Sequence, residues 1–207
     1  METEIPFRIA FWALIGLMFA IRTYFAALVR RSGERLGADT QAIRREGRGV
    51  YALRWALFIL LIIGLVVYAI YPAWLDNLLV PLPGWLRWLG AAFGLASLAL
   101  LAWSQIALGR LWSAQLQLRP EHHLVTGGPY ARMRHPLYSA LFGYGIGLAL
   151  VTASWIFILL AVIIIAGMSL RVGKEEQMMI DQFGDEYRAY MRRTWRYFPR
   201  IFFVQTR

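Results

Sequence analysis

The sequence predicts an all-α, polytopic membrane helical bundle of about five transmembrane helices, with a short C-terminal helical hairpin and a cytoplasmic tail helix. Three observations carry that prediction. Of the 207 residues 59% are hydrophobic and only 16% charged, with a mean hydropathy of +0.50. The apolar residues gather into five runs, three of them long enough to cross a hydrocarbon core, which takes about 20 helical residues. The Lys and Arg residues lie almost entirely on one side of those runs: seven between Arg30 and Arg54, four between Arg110 and Arg134, and eight from Arg171 onward, out of 22. Positive residues collect in cytoplasmic loops, so the pattern puts the N-terminus outside and the C-terminus inside. It also accounts for the net charge of +10 without nucleic acid.

The first run, residues 5–29, continues too far and lacks the small-residue cleavage site of a signal peptide. Arg22 interrupts it close enough to the helix end to reach the interface. A polar, basic stretch follows, then a second apolar run over residues 51–71 that Pro72 closes. Residues 72–84, with Pro81 and Pro83, read as a short external connection. The third run, residues 85–108, carries Gly90 and Gly94, spaced to let another helix approach closely. We divide the chain there, into three N-terminal passes (residues 1–108) and a C-terminal part (residues 109–207).

Two shorter runs, residues 137–151 and 155–170, are separated only by Thr152, Ala153 and Ser154 and must form a tight hairpin. Both sit at or below the short end of the spanning range of ~17 to 25 residues. Gly143, Gly145 and Gly147 have neither the spacing nor the preceding strand of a nucleotide-binding loop, and close helix packing explains them.

Chemistry concentrates between these apolar blocks. The chain contains no cysteine, which removes disulfides, thiolate zinc sites and cysteine nucleophiles together and leaves His, carboxylates, Arg, Tyr or a bound cofactor. The segment 122–138, HHLVTGGPYARMRHPLY, is the longest motif-dense polar stretch. Gly127, Gly128 and Pro129 make a turn, Pro136 suits the first position of a helix, and His135 is then its N-cap. Unpaired amide donors at such a helix start favour an anionic group of a ligand. Beyond Leu170 the pattern of Arg171, Glu175, Met178, Met179 and Phe183 fits a helix that leaves the membrane and ends at Gly184. Arg171 and Glu175, four apart, share a face; Glu176 is rotated by about 100°. Taken alone, the pair reads equally as an exposed ion pair contributing under about 1 kcal/mol.

GGPY, RHPLY, the Glu175–Glu176 pair, FGDEY from Phe183 and YMRRTWRYFP from Tyr190 together resemble the isoprenylcysteine carboxyl methyltransferase family and the related phospholipid methyltransferases. The resemblance covers residues 108–201; the earlier half matches only in being apolar helices. RHPLY alone is weak, because sterol reductases that use NADPH carry a similar RHPNY.

The resemblance implies an integral membrane enzyme that binds S-adenosylmethionine at the cytosolic face. It assigns Gln115, His122, His123, Leu124, Val125, Tyr130, His135, Pro136, Leu137, Tyr138 and Glu175 to the cofactor, with His123 at a variable position. Arg171 would face a lipidic acceptor. Lys174 stands before the Glu pair where eukaryotic prenylcysteine enzymes carry further glutamates, which bears on the acceptor more than on the cofactor. A carboxylate acceptor could be oriented by Arg171 with no general base. An amine would need its proton removed, with His135 or Glu176 as candidates. Membrane lipids and a lipidic small molecule are the expected partners, with no nucleic acid and no metal. Two other readings remain open: an NADPH-dependent membrane sterol or lipid reductase, and a non-catalytic membrane scaffold of the same fold.

Overall fold

Inside hydrocarbon every backbone amide and carbonyl must be satisfied within its own segment, so long apolar runs become helices. The computed structural model describes residues 4–31, 48–71, 73–109 and 124–199. They form five helices: α1 (Ile5–Arg31), α2 (Arg48–Ile70), α3 (Gly84–Leu108), α4 (Pro136–Thr152) and α5 (Trp155–Arg193). Four are long and apolar enough to cross a membrane, and α4 is a shorter apolar helix of 17 residues. Short 3-10 turns occupy Ala73–Leu78 and Gly128–Ala131. The chain is an all-α, multi-pass membrane protein, and its exposed apolar side chains, such as Phe19, Ile59, Trp85 and Leu159, lie where lipid would cover them.

The tightest pairing, α3 against α4, depends on glycine. A Cβ at Gly147 would lie 2.8 Å from the Gly90 carbonyl oxygen and 2.9 Å from the Gly94 Cα, and one at Gly143 would lie 2.4 Å from Ser97 Oγ. These helices touch backbone to backbone, as the glycine spacing predicts. Gly145 differs: a Cβ there would meet Ala161 at 3.7 Å, an ordinary contact. Helix α1 packs across both α3 and α4, and α2 rests on α5. The core they enclose includes Phe11, Tyr68, Leu75, Leu98, Leu101 and Val151.

At the hairpin end of the bundle Ala153 adopts a left-handed conformation (φ 47°, ψ 41°), which completes the turn between α4 and α5 in two residues. The connection after α2 is pinned there, since the Val80 amide donates to the Ala153 carbonyl at 2.6 Å. Buried Arg87 ties three elements together. Its guanidinium donates to both Glu4 oxygens (2.6 and 2.8 Å) and twice to the Val151 carbonyl (3.0 and 2.9 Å), and it lies 3.7 Å from the Phe7 ring centroid.

The other end departs from expectation in one respect. Gly184 interrupts α5 with a non-helical φ of 53° and ψ of −122°, but the helix resumes and runs on to Arg193. The residues beyond the kink keep helical spacing and bury Tyr187 and Tyr190, and that packing sustains the last turns. Gly184 therefore bends the tail where the sequence predicts an end.

Candidate active site

The corner at Arg134–His135 is set by local sequence. Gly128 takes a positive φ of 59°, and a Cβ there would sit 3.3 Å from Ala107 and 3.4 Å from the Trp103 indole nitrogen. Glycine is therefore needed both for the turn and for its approach to α3. Tyr130 follows, buried, and burial pushes its phenol well above the ordinary range. His135 is the N-cap of α4 with Pro136 in the first turn, as predicted, although its side chain makes no capping bond.

The imidazole turns instead toward α5, where it lies between two carboxylates. His135 Nε2 is 3.3 Å from Glu176 Oε1, and Nδ1 is 3.8 Å from Glu175 Oε2. Glu176, 4% exposed, also accepts from Arg134 Nε at 2.9 Å and, through its other oxygen, from Arg196. Arg134 donates further to the Met191 carbonyl at 3.1 Å and to the Thr194 carbonyl. The hydrogen bond to Glu176 raises the Arg196 pKa above its ordinary value, against the opposing effect of desolvation. Burying a carboxylate is costly unless donors surround it, and here three side chains do so.

Glu175 is engaged differently. Its Oε1 accepts from the Tyr138 hydroxyl at 2.5 Å and forms an ion pair with Arg171, whose Nε lies 3.1 Å away. Its other oxygen faces His135 beyond hydrogen-bond length and keeps acceptor capacity. Rings adjoin this group: His135 to Tyr138 at 5.6 Å and Tyr138 to Phe142 at 6.3 Å between centroids.

Beyond α5 the tail returns along the corner. The Arg134 amide donates to the Trp195 carbonyl at 2.8 Å and the His135 amide to the Arg196 carbonyl at 3.0 Å. Ser139 Oγ donates to the Tyr197 carbonyl at 2.5 Å, and the buried Tyr190 hydroxyl to the Tyr130 carbonyl at 2.7 Å. The N-cap amide at the start of α4 is thus taken by the tail, together with the amide before it.

Of the residues predicted from sequence, His135, Tyr138, Arg171 and Glu175 are brought together. Pro136 and Leu137 start the helix that carries them, and Tyr130 packs beneath the corner. Leu124 and Val125 are half-buried in the approach to it. Gln115, His122 and His123 fall outside the described residues. Sequence reasoning weighed Glu176 only as a base for an amine acceptor and missed its place as the hub of Arg134, His135 and Arg196. The motif YMRRTWRYFP marked the tail as part of the pattern but did not say that it folds back.

The family whose model matches this chain does so over the same region. Residues 90–181, which contain Arg134, His135, Tyr138, Arg171, Glu175 and Glu176, match the profile of the isoprenylcysteine carboxyl methyltransferase (ICMT) family. The nickel-cobalt-cadmium resistance protein NccN of Alcaligenes xylosoxydans xylosoxydans is 34% identical over 115 residues, which is 55% of this chain and 53% of that protein. The protein-S-isoprenylcysteine O-methyltransferase of Schizosaccharomyces pombe is 32% identical over 74 residues, 35% of this chain and 31% of that enzyme. The chain thus spans about half or less of the length of these relatives. Among solved structures, the eukaryotic intramembrane Ras methyltransferase ICMT shares the fold, with a TM-score of 0.55 and 23% identity over 70% of this chain and 52% of that one. The stretch that is similar to the isoprenylcysteine carboxyl methyltransferase family, residues 90–181, holds every charged side chain of the site except Arg196.

Proposed function

We propose that this chain is an integral membrane methyltransferase that uses S-adenosylmethionine and acts on a lipidic acceptor, with a carboxylate as the group methylated. The observation that carries the reading is the meeting of the RHPLY corner with Glu175, Glu176 and Arg171 on α5, at the end of an otherwise apolar bundle.

The donor set fits the cofactor. Glu175 retains an acceptor oxygen suited to an ammonium or ribose hydroxyl, and Tyr138, His135 and Tyr130 supply polar edges beside it, with Leu137 and Pro136 forming the wall. Gln115, His122, His123, Leu124 and Val125 are assigned to the same ligand by the family pattern. When bound, S-adenosylmethionine supplies a methyl group activated by a sulfonium. The residues of the chain do the remaining work. Arg171 orients the acceptor: its planar fork can hold a carboxylate in two places, and a carboxylate attacks without losing a proton, so no base is required. Glu176 holds His135 and the tail in register, and the apolar bundle excludes water from the corner.

The binding test is thermal unfolding of the purified chain in detergent. S-adenosylhomocysteine should raise the melting temperature, and NADPH should not. A shift with NADPH alone would replace this reading with a reductase.

The arginine distribution supports a cytoplasmic site, with the N-terminus outside and the C-terminus inside. Reporters fused at Asp76 and at Gly37 should report opposite sides of the membrane. The same side for both would overturn this orientation.

A further inference from the structure

We propose that Tyr197 of the returning tail and Phe142 of α4 form the wall against which the acceptor's apolar chain lies, so that the tail determines which lipid is accepted. This rests on the methyltransferase reading above. The two rings are 5.3 Å apart between centroids at an interplanar angle of 60°, and Tyr197 is also 6.3 Å from His135. The position of Tyr197 is set from both sides. Its own carbonyl accepts from Ser139 Oγ at 2.5 Å, the preceding carbonyl accepts from the His135 amide at 3.0 Å, and the Arg196 side chain is bound to Glu176.

Depth decides which ligand meets this pair. Helix α4 starts at Pro136 beside the charged corner, and Phe142 lies one turn beyond Tyr138, about 6 Å further into the bundle. Phe142 therefore stands on the membrane side of the Tyr138–Glu175 pair, and the Tyr197 ring reaches from His135 to it. A cofactor with charged groups belongs at the carboxylates, and a lipid that comes from the bilayer must pass the aromatic pair first. Tyr197 and Phe142 are each half-buried, so part of each ring remains to be covered. Their neighbours Trp195 and Phe198 are exposed at 54% and 71%. Flat rings suit an unsaturated or branched chain that gives apolar area without polar contacts.

The experiment uses the full chain in detergent with two probes, N-acetylcysteine carrying a fifteen-carbon or a ten-carbon prenyl chain on sulfur, and S-adenosylhomocysteine to report the cofactor site. Tyr197→Ala and Phe142→Ala should each raise KM for the longer probe about tenfold, and less for the shorter, with S-adenosylhomocysteine affinity within twofold of the parent. Tyr197→Phe should restore KM to within twofold. Phe198→Ala, next to it on the exposed side, should behave as the parent. A parallel loss of S-adenosylhomocysteine affinity would put Tyr197 on the cofactor. An equal effect of Phe198→Ala would reduce the wall to general loosening of the tail, and unchanged KM in both alanine variants would make the rings mere packing; any of these overturns the proposal. Should S-adenosylhomocysteine give no melting shift in the parent, the methyltransferase reading fails by itself. The melting shift caused by the fifteen-carbon probe then decides the wall: its presence in the parent and loss in both alanine variants supports it, and its absence or persistence overturns it.

Discussion

The two ends of the bundle both bury ions, and they do so to different purposes. At the hairpin end one arginine meets one glutamate, and Arg87 divides its donors between Glu4 and the Val151 carbonyl, so donors and acceptors are matched by groups fixed in helices. At the opposite end two adjacent carboxylates share Arg134, His135, Tyr138, Arg171 and Arg196, and they share them unequally. Glu176 is enclosed, and among the described residues Glu175 keeps one oxygen without a hydrogen bond of its own. Saturated charge builds structure; incompletely saturated charge beside it is where a ligand can be bound. The contrast separates a staple from a site within one molecule and within one pair of neighbouring residues.

The largest effect should come from Glu176→Ala, which leaves Arg134 and the returning tail without their common acceptor. Breaking a buried ion pair from one side costs about 3 to 5 kcal/mol, so thermal unfolding in detergent should show a melting temperature lowered by several degrees and little S-adenosylhomocysteine binding. A variant that melts as the parent does would mean that the tail is held without the hub. Arg87→Ala tests the opposite end. It should also lower the melting temperature, by a comparable or smaller amount because Glu4 is partly exposed, yet leave S-adenosylhomocysteine affinity within twofold. A matching loss of affinity would erase the distinction between the ends.

The smaller effects sharpen the comparison inside the site. Glu175→Ala should leave the fold intact and weaken S-adenosylhomocysteine binding about tenfold or more, the equivalent of one charge-assisted hydrogen bond of roughly 1.5 to 3 kcal/mol. Arg171→Ala should change that affinity only a few-fold and depress turnover, because the acceptor is no longer oriented. Arg171→Lys retains the charge and loses the fork, so substantial rescue of turnover would show that charge alone suffices at this position. Calorimetric titration with S-adenosylhomocysteine and steady-state rates with a prenylated N-acetylcysteine separate these outcomes.

What could be read from the sequence follows the range of the interactions. Helix limits, the His135–Pro136 start, the hairpin at Ala153, the glycine contacts of α4 and the Arg171–Glu175 pair all arise within one helix or from a periodicity that names its packing face. Arg87 and Glu4 are 83 residues apart, and Arg134 and Glu176 are 42 apart; neither pairing has a local signature. Packing brings them together, the start of α1 against α3 for the first pair and the start of α4 against α5 for the second. Gly184 shows the limit at closer range. A glycine after a helical pattern signals an end, but Tyr187 and Tyr190 find a buried surface and carry the helix past it.

Arg87 and the two glutamates of α5 also act on the same helix from opposite ends. The carbonyl end of α4 receives the Arg87 guanidinium at Val151, and its amide end begins beside Glu175 and Glu176, while no side chain of its own caps the first turn. Aligned peptide dipoles leave about half a unit of positive charge at the start of a helix and half a unit of negative charge at its finish. In α4 both are answered by counter-charges borrowed from other segments. The shortest helix of the bundle is therefore electrically complete only in the company of α3 and α5. A nascent chain that has inserted α1 to α4 alone still lacks the carboxylates beside its amide end, so the site is assembled only when α5 arrives.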